Sequence, residues 1–203
     1  MALDIYGRVW VWGEGSSGQM GNGETMGSSE PLLVKSLPSP IVQISAGNYH
    51  NLALDTRGRL WYWGGNVYLQ LDGTSKEILK PLCSKLGGLK MVCAGAIFSL
   101  VINNRNVTFA WGPHSGGNIT TSKGNVKLPP ITSYIRYETD VYLQDKQKNC
   151  WCVRGETRYL PERLSFPDKK VLSLFFAQNG SQVFALKEIE ALLRLNLGKQ
   201  IAL

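Results

Sequence analysis

Leu52-Ala-Leu-Asp-Thr-Arg-Gly-Arg-Leu-Trp-Tyr-Trp-Gly64 repeats, 51 residues later and without a gap, the opening Met1-Ala-Leu-Asp-Ile-Tyr-Gly-Arg-Val-Trp-Val-Trp-Gly13. Ala, Leu, Asp, Gly, Arg, both Trp and the final Gly recur at matched positions. Self-similarity with a period of about 40–50 residues marks a propeller or a solenoid. Arg8 to Trp12 and Arg59 to Trp63 are short, rich in Val, Trp and Tyr, and preceded by Gly, which predicts strands. Val9 and Val11 take one face and Trp10 and Trp12 the other, so a strand covered on both sides is expected, as between stacked blades. Asp55-Thr-Arg-Gly58 has the residues of a type I turn and joins Leu52–Leu54 to the Trp strand as a hairpin.

Working outward, each Trp-Gly leads into a glycine-rich loop, longest in Gly13 to Gly23. A proline with apolar residues follows (Pro31-Leu-Leu-Val34), then a return strand beginning at Ile41. Val107-Thr-Phe-Ala-Trp-Gly112 opens a third unit at an offset of 48, and Cys150-Trp-Cys-Val153 lies in a fourth. The units span about 7–57, 58–105, 106–145 and 146–187. The repeat positions are Trp12, Gly13, Gly18, Gly47 and His50 in the first unit, Trp63 and Gly64 in the second, and Trp111 and Gly112 in the third. In residues 188–203, Ile189, Leu192, Leu193 and Leu197 lie near one helical face, and Gly198 suits a stop, which predicts a short amphipathic helix. The predicted fold is all-β: a partial or open β-propeller of about four blades with that helix at its end.

Val9-Trp-Val-Trp-Gly13, Gly15, Gly18-Gln-Met-Gly21, Pro31, Val34 and Ile44-Ser-Ala-Gly-Asn-Tyr-His-Asn-Leu-Ala-Leu54 resemble a repeat of the regulator of chromosome condensation family. The likeness weakens along the chain: Asn66, Leu69 and Asp72 stand where the first unit has Gly15, Gly18 and Gly21. The family forms propellers of about seven blades, so four units imply a piece of a longer protein, an arc whose open edges other protein subunits complete or cover, or a small four-bladed ring. The resemblance also implies guanine-nucleotide exchange on a small GTPase, with chromatin, as an alternative function.

No run of about 18 apolar residues suggests a membrane span, and no basic leader precedes the first repeat, so an intracellular protein is expected, cytoplasmic, nuclear or organellar. Cys83, Cys93, Cys150 and Cys152 lack zinc spacing and read as buried reduced thiols. Asn106, Asn118 and Asn179 begin Asn-x-Ser/Thr triplets that read as chance. Gly13-Glu-Gly-Ser-Ser-Gly18 matches a dinucleotide fingerprint, but the glycines that follow would not open a helix, so it reads as a repeat turn and no cofactor is predicted. His50 reads as a hydrogen-bonded structural residue, and Asp4 and Asp55 as turn residues. No catalytic or metal-ligating residue is predicted.

Residues 1–100 hold 8 Lys/Arg against 7 Asp/Glu, and residues 101–203 hold 14 against 8, so the excess of positive charge lies in the second half. Lys146, Lys148, Arg154, Arg158, Arg163, Lys169 and Lys170 interleave with Trp151, Tyr159 and Phe166 and suit an acidic or nucleic-acid surface. The sequence therefore predicts a non-enzymatic interaction module or scaffold subunit. Its contacts are expected at the edge segments Met1–Tyr6 and Val183–Leu186, at Leu192 and Leu193, and at the basic residues. An RNA-contacting subunit of a ribonucleoprotein is a further alternative.

Overall fold

A computed structural model describes residues 1–38, 40–71, 76–113, 120–121, 128–137, 139–154, 161–164, 171–176, 183–187, 192–196 and 199–201. Strands β1 (Ala2–Leu3), β2 (Val9–Gly13) and β3 (Ser28–Leu33) form a three-stranded sheet. Four sheets of four strands follow. They are β4 (Ile41–Ala46) to β7 (Ile78–Cys83) through β5 (His50–Asp55) and β6 (Leu60–Gly64), and β8 (Leu89–Ala94) to β11 (Thr120–Thr121) through β9 (Ser99–Asn103) and β10 (Thr108–Trp111). The next is β12 (Ile131–Tyr137), β13 (Asp140–Asp145), β14 (Cys150–Val153) and β15 (Pro161–Leu164), and the last is β16 (Val171–Phe176), β17 (Val183–Lys187), β18 (Leu192–Asn196) and β19 (Lys199–Ile201). Each is an antiparallel meander, and successive sheets pack in chain order through β1 on β4, β4 on β8, β8 on β12 and β12 on β16. The chain is a partial β-propeller. Among the described residues no helix is long and apolar enough to cross a membrane.

A sequence unit does not coincide with a sheet. In the first unit, β2 and β3 belong to one sheet and β4 and β5 to the next, so the repeat itself ties adjacent blades together. Gly7 O accepts from Ile41 N at 2.9 Å, and Gly58 O from Leu89 N at 3.0 Å, one blade turn latching the next inner strand. Gln43 spans the same seam: its Oε1 accepts from Val92 N at 3.0 Å and its Nε2 donates to Val92 O at 3.2 Å. Ser45 Oγ accepts from Ala94 N at 2.8 Å. Val9, Val11, Leu52, Leu60, Val92 and Val101 fill the core between these sheets, and burial of such side chains is worth about 1.5–3 kcal/mol each.

Among the described residues the hairpin turn occurs four times. Asp55 Oδ1 accepts from Arg57 N at 2.9 Å and Arg59 N at 3.0 Å, while Oδ2 accepts from Arg59 Nε at 2.7 Å and Trp61 Nε1 at 3.1 Å. Asp4, Arg8 and Trp10 repeat this arrangement at the same Oδ2 distances. Asn103 and Asp145 start the third and fourth turns. The fourth turn residue has positive φ in every case: Gly7 (74°), Gly58 (71°), Asn106 (61°) and Lys148 (66°). That conformation costs a residue with a Cβ about 1–2 kcal/mol. Lys148→Gly is therefore expected to raise stability by about 0.5 kcal/mol after the added entropy of an unfolded Gly. Gly58→Ala is expected to lower it by at least about 1–2 kcal/mol, because the new Cβ would also lie 2.9 Å from Leu89 O. Urea-unfolding midpoints of the two variants, moving in opposite directions, check this.

Three expectations are corrected. Among the described residues the C-terminal segment is not helical: Leu192–Asn196 is strand β18, paired with β17 and β19. The outer edge of β17 offers unpaired backbone groups to that segment, and this pairing overrides a leucine pattern that also fits a helix. Strand β2 is covered on one face only. Trp63 is fully buried, its Nε1 donating to Gln19 O at 2.9 Å from the loop of the preceding unit. Trp12 is 45% exposed, with no corresponding loop over it among the described residues. The cysteines also divide: Cys93, Cys150 and Cys152 are buried free thiols, but Cys83 is exposed on the outer strand β7, where no blade covers it. Burial pushes the Cys150 thiol up to about 11 and the Cys152 thiol up to about 12.

Candidate interaction surfaces

The strands run between two ends of each blade, and the ends differ in chemistry. One end carries the tight turns of residues 4–8, 55–59, 103–107 and 145–149. Here Arg57, Arg105 and Lys146 are exposed, while Asp4 and Asp55 are engaged by Arg8 and Arg59. Lys90 donates to Asn106 Oδ1. Partial burial, and then the charge of Lys146, hold its ammonium below the usual lysine range. This turn end is a basic surface.

The opposite end carries the longer loops after the Trp-Gly of β2 and β6, and the short connection between β4 and β5. Tyr49 (43% exposed) and Tyr68 (40%) lie with ring centroids 6.1 Å apart. With Ser17, Gly65, Val67 and Gln70 they line a cleft of 220 Å³. A larger hollow of 510 Å³ on the outer flank is lined by Gly21, Asn22, Leu32, Leu33, Lys35, Ser36 and Lys80. It belongs to neither end. Exposed aromatic rings are the side chains that most often anchor a protein partner, because they bury large area for little lost freedom.

His50 stands directly beneath the loop end, 1% exposed, with Nε2 3.2 Å from Ser99 Oγ, which donates to Gln70 O at 2.5 Å. Burial, reinforced by the charge of Arg136, pushes its imidazole down to about 3. The buried imidazole therefore stays neutral through the ordinary pH range. A Cβ on Gly47 would lie 2.3 Å from the His50 ring, just as one on Gly95 would lie 2.2 Å from the Phe98 ring, so Phe98 takes the place of His50 in the next blade.

The described residues of the predicted basic stretch divide between the two ends of a sheet. Lys146 and Lys148 sit in the turn at one end of the fourth sheet, and Arg163 Nη2 donates to Asn149 Oδ1 there at 2.7 Å. Arg154 lies at the other end of β14, held by Asp140 at 3.8 Å and Glu162 at 3.4 Å. Arg158, Lys169 and Lys170 lie outside the described residues. The backbone of Leu192 and Leu193 is in β18. Sequence reasoning missed Tyr49 and Tyr68 as a pair, which loops 19 residues apart bring together, and Arg136 at the inner edge.

Comparisons with known proteins agree with this architecture. Residues 6–54 and 41–70 match models of the regulator of chromosome condensation (RCC1) repeat. Alsin of Pan troglodytes is 35% identical over 161 residues, covering 70% of this chain and 10% of that protein. The probable E3 ubiquitin-protein ligase HERC6 of Homo sapiens is 36% identical over 136 residues, covering 63% of this chain and 13% of that protein. The chain thus spans about a tenth of the length of these curated relatives. The crystal structure of Prp20p from Saccharomyces cerevisiae superposes with a TM-score of 0.75 at 18% identity, over 97% of this chain and 55% of that one. The repeat matches, the relatives that share them and the stacked four-stranded sheets place this chain in the regulator of chromosome condensation repeat family, as a partial β-propeller.

Proposed function

We propose that this chain is a protein-interaction module without catalysis of its own, whose rigid blades present the loop end to a protein partner. The observation that carries the reading is the exposed Tyr49–Tyr68 cleft on a body otherwise locked by blade-to-blade hydrogen bonds. Its support from relatives is that Alsin and HERC6 hold the matching segment as a small share of much longer chains, as a docking module would be held. The Tyr49→Ala/Tyr68→Ala pair is expected to abolish recovery of specific partners in quantitative affinity capture. Arg57→Glu, at the turn end, is expected to leave those partners in place. Identical recovery by the wild type and the tyrosine pair would sink the reading.

The second reading is guanine-nucleotide exchange. It is favoured by the likeness to Prp20p, which has been characterised for binding to Gsp1p and histones. Accelerated nucleotide release from a small GTPase on addition of the purified chain would replace the first reading with this one. The basic turn end keeps an acidic protein or RNA as a contact of that separate surface.

A further inference from the structure

Arg136 stands near the loop end of β12, at the inner edge of its sheet. Its Nη2 donates to Asn48 Oδ1 at 2.9 Å and its Nη1 to Ala46 O at 3.3 Å, contacts made 88 and 90 residues away in the loop after β4. Arg136 is half-buried as a residue, its two hydrogen bonds lie on the exposed side, and among the described residues no carboxylate lies within ion-pair distance of it. A guanidinium has five donors in a fixed fork, and the two acceptors here are neutral. Loss of solvation without a counter-charge holds it below the usual arginine range. Asn48, the acceptor from Nη2, is followed in the chain by Tyr49, which lines the aromatic cleft. Arg154, on the same end, differs in having Asp140 and Glu162 beside it.

We propose that Arg136 is a carboxylate-recognition residue, and that the partner seated at the loop end is a protein segment placing an Asp or Glu side chain on Arg136 beside a residue held by Tyr49 and Tyr68. This rests on the loop end being the partner surface. A carboxylate supplies the two coplanar acceptors that a guanidinium fork fits and the charge it lacks. A protein segment suits the site better than a nucleic acid. Tracking a phosphate backbone takes an array of cations, whereas among the described residues no cation lines the cleft and the exposed cations of the turns lie at the opposite end.

The test uses the whole chain and two immobilised libraries of random hexapeptides, one with Glu and one with Gln fixed at the third position. A fluorescein-labelled single-stranded DNA of about twenty nucleotides is the third probe. The wild type is expected to select Glu peptides about ten- to a hundredfold more tightly than their Gln partners, the usual span for a charge-assisted hydrogen bond. Arg136→Gln is expected to lose that preference and still bind Gln peptides, and Arg136→Lys to restore part of it. Tyr49→Ala/Tyr68→Ala is expected to lose both sets. Equal binding of Glu and Gln peptides by the wild type overturns the carboxylate assignment alone. No peptide binding sensitive to the tyrosine pair overturns the loop-end surface itself. DNA binding that Arg136→Gln removes overturns the choice of a protein partner. Unchanged thermal unfolding of Arg136→Gln separates lost recognition from lost structure.

Discussion

Trp63→Ala is expected to lower stability by about 3–5 kcal/mol, and Trp12→Ala by about 1 kcal/mol or less. The two residues hold the same repeat position and are followed by the same Gly. They differ in cover. Trp63 is fully buried, its ring pressed by the loop of the preceding unit: a Cβ on Gly21 would lie 2.9 Å from its Nε1. Removing the ring opens a void in close-packed surroundings and leaves Gln19 O with Asn51 Nδ2 as its remaining donor. Trp12 is nearly half exposed and leaves no such void. Urea unfolding followed by far-ultraviolet circular dichroism checks both. Equal losses would mean that the loop over Trp63 adds nothing and that blade stacking does not depend on it.

Acidification from pH 6.5 to 4.5 is expected to destabilise the wild type through His50, and His50→Phe is expected to flatten that part of the profile. Burial, first, and the nearby Arg136 charge, second, hold the folded imidazole at about 3 against an ordinary value of 6.5. Above pH 6.5 both states are neutral and the group contributes no slope. Below it the unfolded chain binds a proton that the folded chain refuses, so stability falls, by up to about 1.4 kcal/mol per pH unit, until the folded ring also titrates near pH 3. Asp55 contributes in a lower window. Burial opposes its ionisation, but the donors from Arg59 and Trp61 outweigh this and hold the carboxyl below its usual range, so its support is lost only as pH falls through that depressed value. Phe98 in the neighbouring blade shows that an aromatic hydrocarbon fits above the corresponding glycine. Parallel urea-midpoint profiles for wild type and His50→Phe between pH 6.5 and 4.5 would remove His50 as the acid-sensitive group.

Much of the fold was legible because its signals are local. The Asp-x-x-Gly turn, the Trp strand and the 51-residue period each depend on residues close in sequence, and all are present in the structure. The Leu192–Asn196 segment was not legible, since five residues rich in leucine suit either period and the free edge of β17 chose between them. The spread of the described basic residues was not legible for a related reason. Strand β14 carries the chain from the turn end to the loop end, so residues near in sequence, Lys148 and Arg154, finish at opposite ends of the sheet.

Sequence alone determined the blades, because hydrogen-bonded turns and alternating apolar strands are set by neighbours along the chain. Tertiary structure decided the surfaces. The Tyr49–Tyr68 cleft forms where two loops of one sheet meet Ser17 of the preceding blade, Arg136 is seated across blades on the loop after β4, and none of these residues carries a spacing that announces it. A binding surface of this kind is a property of how blades stack, so no single repeat contains it.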